Sequence, residues 1–177
     1  MLQDKYLLIS HFRQKHSIEI NASSAQVWPI IDQMDFSGSW IIRMLFTLRG
    51  MPSRMTKREG LEQGKFMRLD QIENDELIIG LIGQFWKPNG NLQTFKPDEF
   101  VFFSKPGFLR ATWSFRLVPQ GKNQTQLETE TRIFCSDDEA MKKFSRYWFF
   151  IKPFSGIIRK EILRGIKKKA EINSKLI

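Results

Sequence analysis

Apolar and polar residues alternate along several stretches of the chain, and this period of two predicts β-strands. The odd-numbered positions of segment 110–118 are all apolar, and those of segment 126–134 are apolar or threonine. Ile18 and Ile20 follow the same alternation near the N-terminus. Side chains two residues apart share a face of a strand, so each of these segments has one face suited to a core.

Turn-forming residues separate the predicted strands, most clearly at Asn89-Gly90, which is typical of a β-hairpin. The segment 77–86 is apolar on both of its faces, so its second face also needs cover, from the short helices or from a second copy of the chain. We predict six to seven antiparallel strands in all, including short ones at 92–95 and 99–103.

A spacing of three and four residues between apolar positions predicts helices on either side of the strands. Two short helices are expected after the first strand, the second of them within segment 40–50. A long C-terminal helix is expected to begin near Asp137, and Pro153 should kink or interrupt it. Its apolar stripe comprises Ala140, Phe144, Tyr147, Trp148, Ile151, Ile158, Ile162 and Ile166. Helices that are segregated from a run of strands indicate an α+β fold.

The composition supports one globular domain with a dry, aromatic core. The 177 residues include 16 Phe and 5 Trp but only 2 Tyr, so most aromatic rings bring no hydroxyl that needs a partner. The single cysteine, Cys135, excludes an internal disulfide and favours a reducing compartment. No stretch approaches the ~18 consecutive apolar residues of a membrane span, and no signal peptide is evident. We therefore expect a cytoplasmic protein.

Positive charge is concentrated in the C-terminal helix. The net charge is +9, and the segment 142–169 carries ten Lys and Arg residues against one acid, Glu161. One interpretation is the solvated face of an amphipathic helix, and the other is a surface that binds an anionic membrane. The basic face has few interleaved aromatic residues for base stacking, which argues against nucleic acid as a partner.

Sequence motifs for metal or nucleophilic catalysis are missing. His11 and His16 have no HExxH or CxxC context, so we expect no metal. The sequence also lacks a GxSxG elbow and a glycine-rich phosphate loop. We expect no cofactor.

Several segments resemble the START-like or SRPBCC superfamily, which includes pollen-allergen-like proteins and polyketide cyclases. They are IEINASSAQVWPIIDQMD, LIGQFWKPNG, TWSFRLVP, LETETRIF and FSRYWFFIKPFSGIIRKEIL. The resemblance is to a bacterial branch and implies one helix-grip domain over 1–177, with its core at about 15–170. In that fold a curved antiparallel sheet wraps the long C-terminal helix and leaves an apolar cavity between them.

The resemblance also indicates which residues would line that cavity. The predicted ligand-binding residues are Trp86, Trp113, Phe115, Thr129, Thr131, Phe144, Tyr147 and Trp148. The predicted cavity entrance is formed by Trp40, Met44 and Phe46. Ordinary core packing is the alternative interpretation for both sets.

The charged face of the last two strands allows two interpretations. Glu128 and Glu130 pair across strands with Arg110, Arg116 and Arg132 on a solvated outer face, or the same groups lie in the cavity and bind a polar ligand. The second arrangement requires buried carboxylates, which are costly unless they are fully paired.

Together these observations predict a protein that binds a hydrophobic small molecule or lipid, as a monomer or homodimer. The alternative is a cofactor-independent cyclase, dehydratase or hydrolase that acts on a hydrophobic substrate in the same cavity.

Overall fold

A curved antiparallel sheet of five strands forms the centre of the computed structural model, which describes residues 1–33, 65–87 and 90–174. The strands are β1 (Phe12–Ile20), β2 (Met67–Ile72), β3 (Glu76–Gly83), β4 (Leu109–Gly121) and β5 (Gln124–Cys135). Their spatial order is β1-β5-β4-β3-β2, and each neighbouring pair is antiparallel.

Three helices accompany the sheet in the described residues. They are α1 (Leu2–Tyr6), α2 (Ser24–Gln33) and α3 (Asp138–Asn173). The helix α3 lies along β1 and β5, and α2 packs against α3 and β4. A carboxylate oxygen of Asp137 accepts a hydrogen bond from the Ala140 amide at 2.7 Å and caps α3. The α+β class and the predicted helix-grip architecture, a curved antiparallel sheet packed against a long C-terminal helix, are confirmed.

The number of strands is lower than predicted. Within the described ranges the sheet has five strands, because the segments 92–95 and 99–103 do not form strands, although the Gln93 amide donates to the Ile82 carbonyl of β3. A turn at Pro97 interrupts this region: the Glu99 amide donates to the Lys96 carbonyl, and the Glu99 carboxylate accepts from the Lys96 amide. Phe95, Phe100 and Phe103 pack their rings onto the sheet instead of extending it. The predicted second short helix lies outside the described residues.

Of the two outcomes predicted for Pro153, a kink or an interruption, the interruption is wrong, because α3 is one helix from Asp138 to Asn173. A proline removes one backbone donor, which here would have bonded the carbonyl of Phe149, one turn earlier. Both residues lie on the exposed side of α3, where water can hydrogen-bond to that carbonyl.

The two faces of the sheet carry separate apolar cores. The inner face, which packs against α3 and α2, holds the larger core. The outer face is covered by α1 and the segment 92–108, whose Tyr6, Phe95, Phe100 and Phe108 pack on Ile78 and Ile82 of β3. This cover comes from the same chain, and it explains why β3 is buried along its whole length.

Charged residues of β5 lie on the outer face, as the first interpretation predicted, but the central ones are not solvated. Glu130 and Arg132 are only 1% and 5% exposed because α1 covers them. The Glu130 carboxylate accepts hydrogen bonds from Arg132 Nε at 2.7 Å and from Arg13, and Arg132 also donates to Asp4 of α1. These contacts attach α1 to the sheet.

Candidate functional site

The eight predicted ligand-binding residues all lie between the sheet and α3, on the inner face or against its core. Phe115, Thr129 and Phe144 are fully buried, Trp113 and Thr131 nearly so, and the remaining three are half-buried. Trp86 follows the end of β3 in a turn closed by the Lys87 amide and the Gln84 carbonyl. This turn brings the Trp86 ring to the inner core, where strand alternation alone would have placed it on the outer face.

Aromatic rings from three elements meet near the first turns of α3. The Phe144 ring lies 4.9 Å from the ring of Phe12 on β1, 5.6 Å from that of Trp148 and 6.3 Å from that of Phe85. Most of these pairs have the edge-to-face geometry that aromatic rings prefer. They form an apolar wall between β1 and the first turns of α3.

Two of the predicted ligand-binding residues, Thr129 and Thr131, already make side-chain hydrogen bonds within the protein. Thr129 Oγ1 accepts from the indole Nε1 of Trp113 at 2.8 Å and donates to the carbonyl of Ser114 at 2.8 Å. Thr131 Oγ1 accepts from Arg159 Nε at 3.1 Å. The first bond ties the Trp113 indole to β5, and the second ties α3 to β5. We call this part of the inner face the polar centre.

Two further polar residues, Gln14 and His16 on β1, join this centre. The strand register places Gln14 opposite Thr131 and His16 opposite Thr129, so all four side chains share the inner face. They sit between Phe12 and Ile18, which are also on β1 and pack into the inner core. The inner face is thus apolar at both ends of β1 and polar in the middle.

Gly156 of α3 lies directly over Gln14 and His16. A Cβ atom at this position would lie 3.0 Å from Gln14 Nε2 and 3.6 Å from His16 Nε2. The missing side chain therefore lets the α3 backbone come close to β1, and the Gln14 amide reaches the carbonyl of Lys152 at 3.4 Å. Any larger residue here would occupy the space above the two polar side chains.

Two polar atoms in this centre are buried and have no hydrogen-bond partner within the described residues: Gln14 Oε1 and His16 Nε2. We call these two atoms the Gln14–His16 pair. Buried polar atoms are normally satisfied, because an unmet hydrogen bond costs about 1–3 kcal/mol. Such a pair is therefore a place where a bound molecule could contribute the missing bonds.

The local electrostatics keep His16 neutral. Burial of the ring lowers the pKa of His16 below its ordinary value of 6.5, and the positive charges of Arg159 and Lys160 lower it further. A neutral imidazole carries one N–H donor and one acceptor nitrogen. Gln14 Oε1 can only accept, so the Gln14–His16 pair can serve a group that both donates and accepts, such as a hydroxyl.

Gln14 and His16 were not among the predicted ligand-binding residues, although the sequence contains a signal for them. The alternation that we used at Ile18 and Ile20 continues backwards through His16, Gln14 and Phe12, and the burial of β1 follows it. Arg159 is one of the ten basic residues of segment 142–169, but it turns inward and bonds Thr131 and the Ser155 carbonyl.

The predicted entrance residues Trp40, Met44 and Phe46 lie in segment 34–64, outside the described residues. A cavity of about 250 Å³ lies between Ile30 of α2 and Ile172 of α3. At 1.5 Å per residue, it is roughly 20 Å along α3 from Gly156, so it is separate from the polar centre.

Cys135 is not positioned for reactivity. Its thiol is buried, and this burial, together with the charge of Asp137, raises the pKa of Cys135 to about 12. The thiol therefore stays protonated and unreactive at neutral pH. Across the described ranges, no three His, Cys, Asp or Glu residues are grouped so that they could hold a metal ion.

No family model matches the chain, and no curated protein matches it significantly. Among solved structures, the ZhuI aromatase/cyclase from Streptomyces sp. R1128 shares 10% identity, covers 90% of this chain and 93% of its own, and has a TM-score of 0.36. A point mutant of the Thalictrum flavum norcoclaurine synthase shares 13%, covers 92% and 96%, and has a TM-score of 0.39. A conserved protein from Geobacillus kaustophilus shares 14%, covers 90% and 95%, and has a TM-score of 0.36. Similarity at this level does not bear on what this chain binds.

Proposed function

We propose that the protein binds a small, largely apolar molecule between α3 and the inner face of the sheet, with one polar group of that molecule at the Gln14–His16 pair. The observation that carries this proposal is the pair itself: two buried polar atoms with no partner in the described residues, inside an otherwise apolar layer. A site that only stabilised the fold would more often carry apolar side chains there.

The apolar part of the ligand would contact Phe12, Phe144 and Trp148 of the apolar wall, together with the indole of Trp113. Burial of apolar ligand surface contributes roughly 25 cal/mol per Å² before the costs of association. That contribution sets affinity but distinguishes poorly among apolar molecules of similar size. The aromatic residues therefore supply the attraction, and the polar centre supplies the orientation.

The polar group is best matched by a hydroxyl. It could donate to Gln14 Oε1 and accept from His16 Nε2 in the tautomer that carries a proton there. The threonine hydroxyls beneath are already engaged, so they position Trp113 and Arg159 and leave recognition to β1. A molecule without a donor would leave Gln14 Oε1 unsatisfied.

An enzyme acting on a hydrophobic substrate is the second candidate, and the lowered pKa of His16 favours it. A neutral imidazole held next to a bound hydroxyl is a suitable general base for cyclisation or dehydration. The two candidates differ in the fate of the ligand: a carrier releases it unchanged, whereas an enzyme releases a product.

Binding of 1-naphthol and of naphthalene, followed by fluorescence, tests the proposal. The wild-type protein should bind 1-naphthol roughly tenfold more tightly than naphthalene, since about one net hydrogen bond distinguishes them. In Q14L/H16L this preference should disappear while naphthalene binding is retained. Native mass spectrometry of the freshly purified protein would then show whether a natural hydroxylated compound is carried.

Equal affinity of the wild-type protein for the two probes would contradict the role of the Gln14–His16 pair. The absence of binding to either probe, in a protein that is folded by circular dichroism and carries no co-purified compound, would contradict the binding function as a whole.

A further inference from the structure

The outer side of α3 exposes large apolar residues that the ligand site does not use. Phe149 is 77% exposed, Phe150 69%, Phe154 48% and Ile157 47%. Single exposed apolar residues are common on soluble proteins, but four within nine positions of one helix form a continuous patch. We call these four residues the α3 patch.

The four residues of the α3 patch lie on one side of the helix. At 3.6 residues per turn, its four members fall within about 140° of the helix circumference. Phe144, Ile158 and Ile162, which face the sheet, occupy the opposite arc and are buried. Phe149 and Phe150 contact each other edge to face, with ring centres 5.4 Å apart.

Basic residues lie at both ends of the α3 patch and on the same side of the helix. Arg146 precedes Phe149 by three residues, and Lys160 follows Ile157 by three, so each is one turn beyond the patch. Lys142 extends this basic character by a further turn at the N-terminal end, whereas Arg164 at the other end is paired with Glu161. From residue 140 to residue 160 the sequence contains no acid.

We propose that the α3 patch docks the protein on the surface of an anionic lipid bilayer. An apolar centre with basic ends matches a membrane interface, where aromatic rings enter the acyl boundary and Lys and Arg extend to the lipid phosphates. In the described residues no helix is long and apolar enough to cross a bilayer, so α3 would lie along the surface. This proposal is independent of the ligand site, which lies on the other side of α3.

Co-sedimentation of the full chain with vesicles tests the docking. The wild-type protein should bind vesicles of equal parts phosphatidylcholine and phosphatidylserine at least tenfold more strongly than vesicles of phosphatidylcholine alone. F149S/F150S/F154S should lose most of this binding, whereas F102S should not, although Phe102 is 83% exposed in the segment that covers the outer face.

Charge reversal provides a matched comparison. K142E/K160E should abolish the preference for anionic vesicles, and K96E/K122E, which makes the same change of net charge at exposed positions outside α3, should reduce it only slightly. Equal losses in both double variants would show that net charge alone drives binding, and this would overturn the role of the patch.

A labelled variant decides the question if the triple variant fails to fold. Cys135 is buried and protonated, so a cysteine introduced as F150C can be labelled selectively with an environment-sensitive dye. The emission of this dye should rise when anionic vesicles are added, and that of the same dye on F102C should not.

An unchanged signal at F150C would overturn the proposal, as would a triple variant that binds vesicles normally. A patch that proved to pair two copies of the chain, without vesicle binding, would also overturn it.

Discussion

The two faces of the sheet both bury polar side chains, but they satisfy them in different ways. On the outer face, beneath α1, Gln3 donates to Thr112 and accepts from Ser114, while Glu130 and Arg132 share a charged network with Asp4. Among the described residues, none of the polar atoms of Gln3, Thr112, Ser114, Glu130 and Arg132 is buried without a partner. Arg110 Nε is the exception on this face, and its guanidinium lies against the rings of Phe100 and Phe134. Apart from the Glu130–Arg132 bond within β5, these bonds join segments far apart in the chain, so the network closes the fold.

On the inner face, beneath α3, the Gln14–His16 pair is left open. Its neighbours are engaged: Thr129 holds Trp113, and Thr131 holds Arg159. The comparison shows that burial of a polar group does not by itself indicate a function. A fully bonded buried group is explained by stability, whereas a buried group that lacks bonds has a cost that a ligand could remove.

The largest effect that tests this comparison should come from breaking the outer network. Glu130→Leu removes the carboxylate that accepts the hydrogen bond from Arg132 Nε. The Arg132 guanidinium is then buried against an apolar side chain. We expect the free energy of unfolding to fall by about 3–5 kcal/mol. Chemical denaturation of the wild-type protein and the variant measures this difference.

Lys15→Met is the matched control for that change. It removes the ion pair with Glu128 on the same strand pair, but the Lys15 side chain is largely exposed. The unfolding free energy should change by less than about 1 kcal/mol. Equal losses in the two variants would mean that the outer network is no more important than a surface ion pair.

A smaller effect, specific to the inner face, is expected at Gly156. Gly156→Ala places a Cβ 3.0 Å from Gln14 Nε2 and fills the space above the Gln14–His16 pair. Binding of 1-naphthol should weaken roughly tenfold, through loss of about one hydrogen bond. Alanine normally stabilises a helix by about 1 kcal/mol relative to glycine. The displacement of Gln14 should cancel this gain in the free energy of unfolding.

Gly165→Ala is the control on the same helix, because a Cβ there meets nothing within 4 Å. It should raise the unfolding free energy by about 0.5–1 kcal/mol and leave 1-naphthol binding unchanged. If both alanine variants bound the probe like the wild-type protein, the space beneath Gly156 would not be part of a ligand site.

The smallest effect should be a pH dependence from His16. Burial first, and then Arg159 and Lys160, lower the pKa of His16 in the folded protein, so the unfolded chain binds this proton more tightly. The stability that buried, neutral His16 contributes is therefore fully present at pH values above 6.5, the ordinary pKa of histidine. It is lost as the pH falls toward the lower pKa of His16 in the folded protein. Between about pH 7 and 5 the wild-type protein should lose more stability than His16→Leu. Parallel stability curves for the two proteins would exclude an effect of His16 burial.

The sequence by itself determined the elements and much of the inner face. Alternation along β4 and β5 placed Trp113, Phe115, Thr129 and Thr131 on one side of the sheet, and helical spacing placed Phe144 and Trp148 on one stripe. These predictions depend only on the periods of a strand and a helix, which act over a few residues. The same rules failed for segments 92–95 and 99–103, because alternation does not reveal whether a neighbouring strand is available for pairing.

The tertiary structure alone decided how the polar groups are shared between the faces. Gln14 meets Lys152 across 138 residues of sequence and lies beneath Gly156 of the same helix, and Arg132 meets Asp4 across 128 residues. No local pattern indicates that a short N-terminal helix covers the charges of β5, or that a glycine brings α3 down onto β1. Whether a buried polar atom has a partner depends on such distant contacts, and that is why only the folded chain distinguishes the closed outer network from the open inner pair.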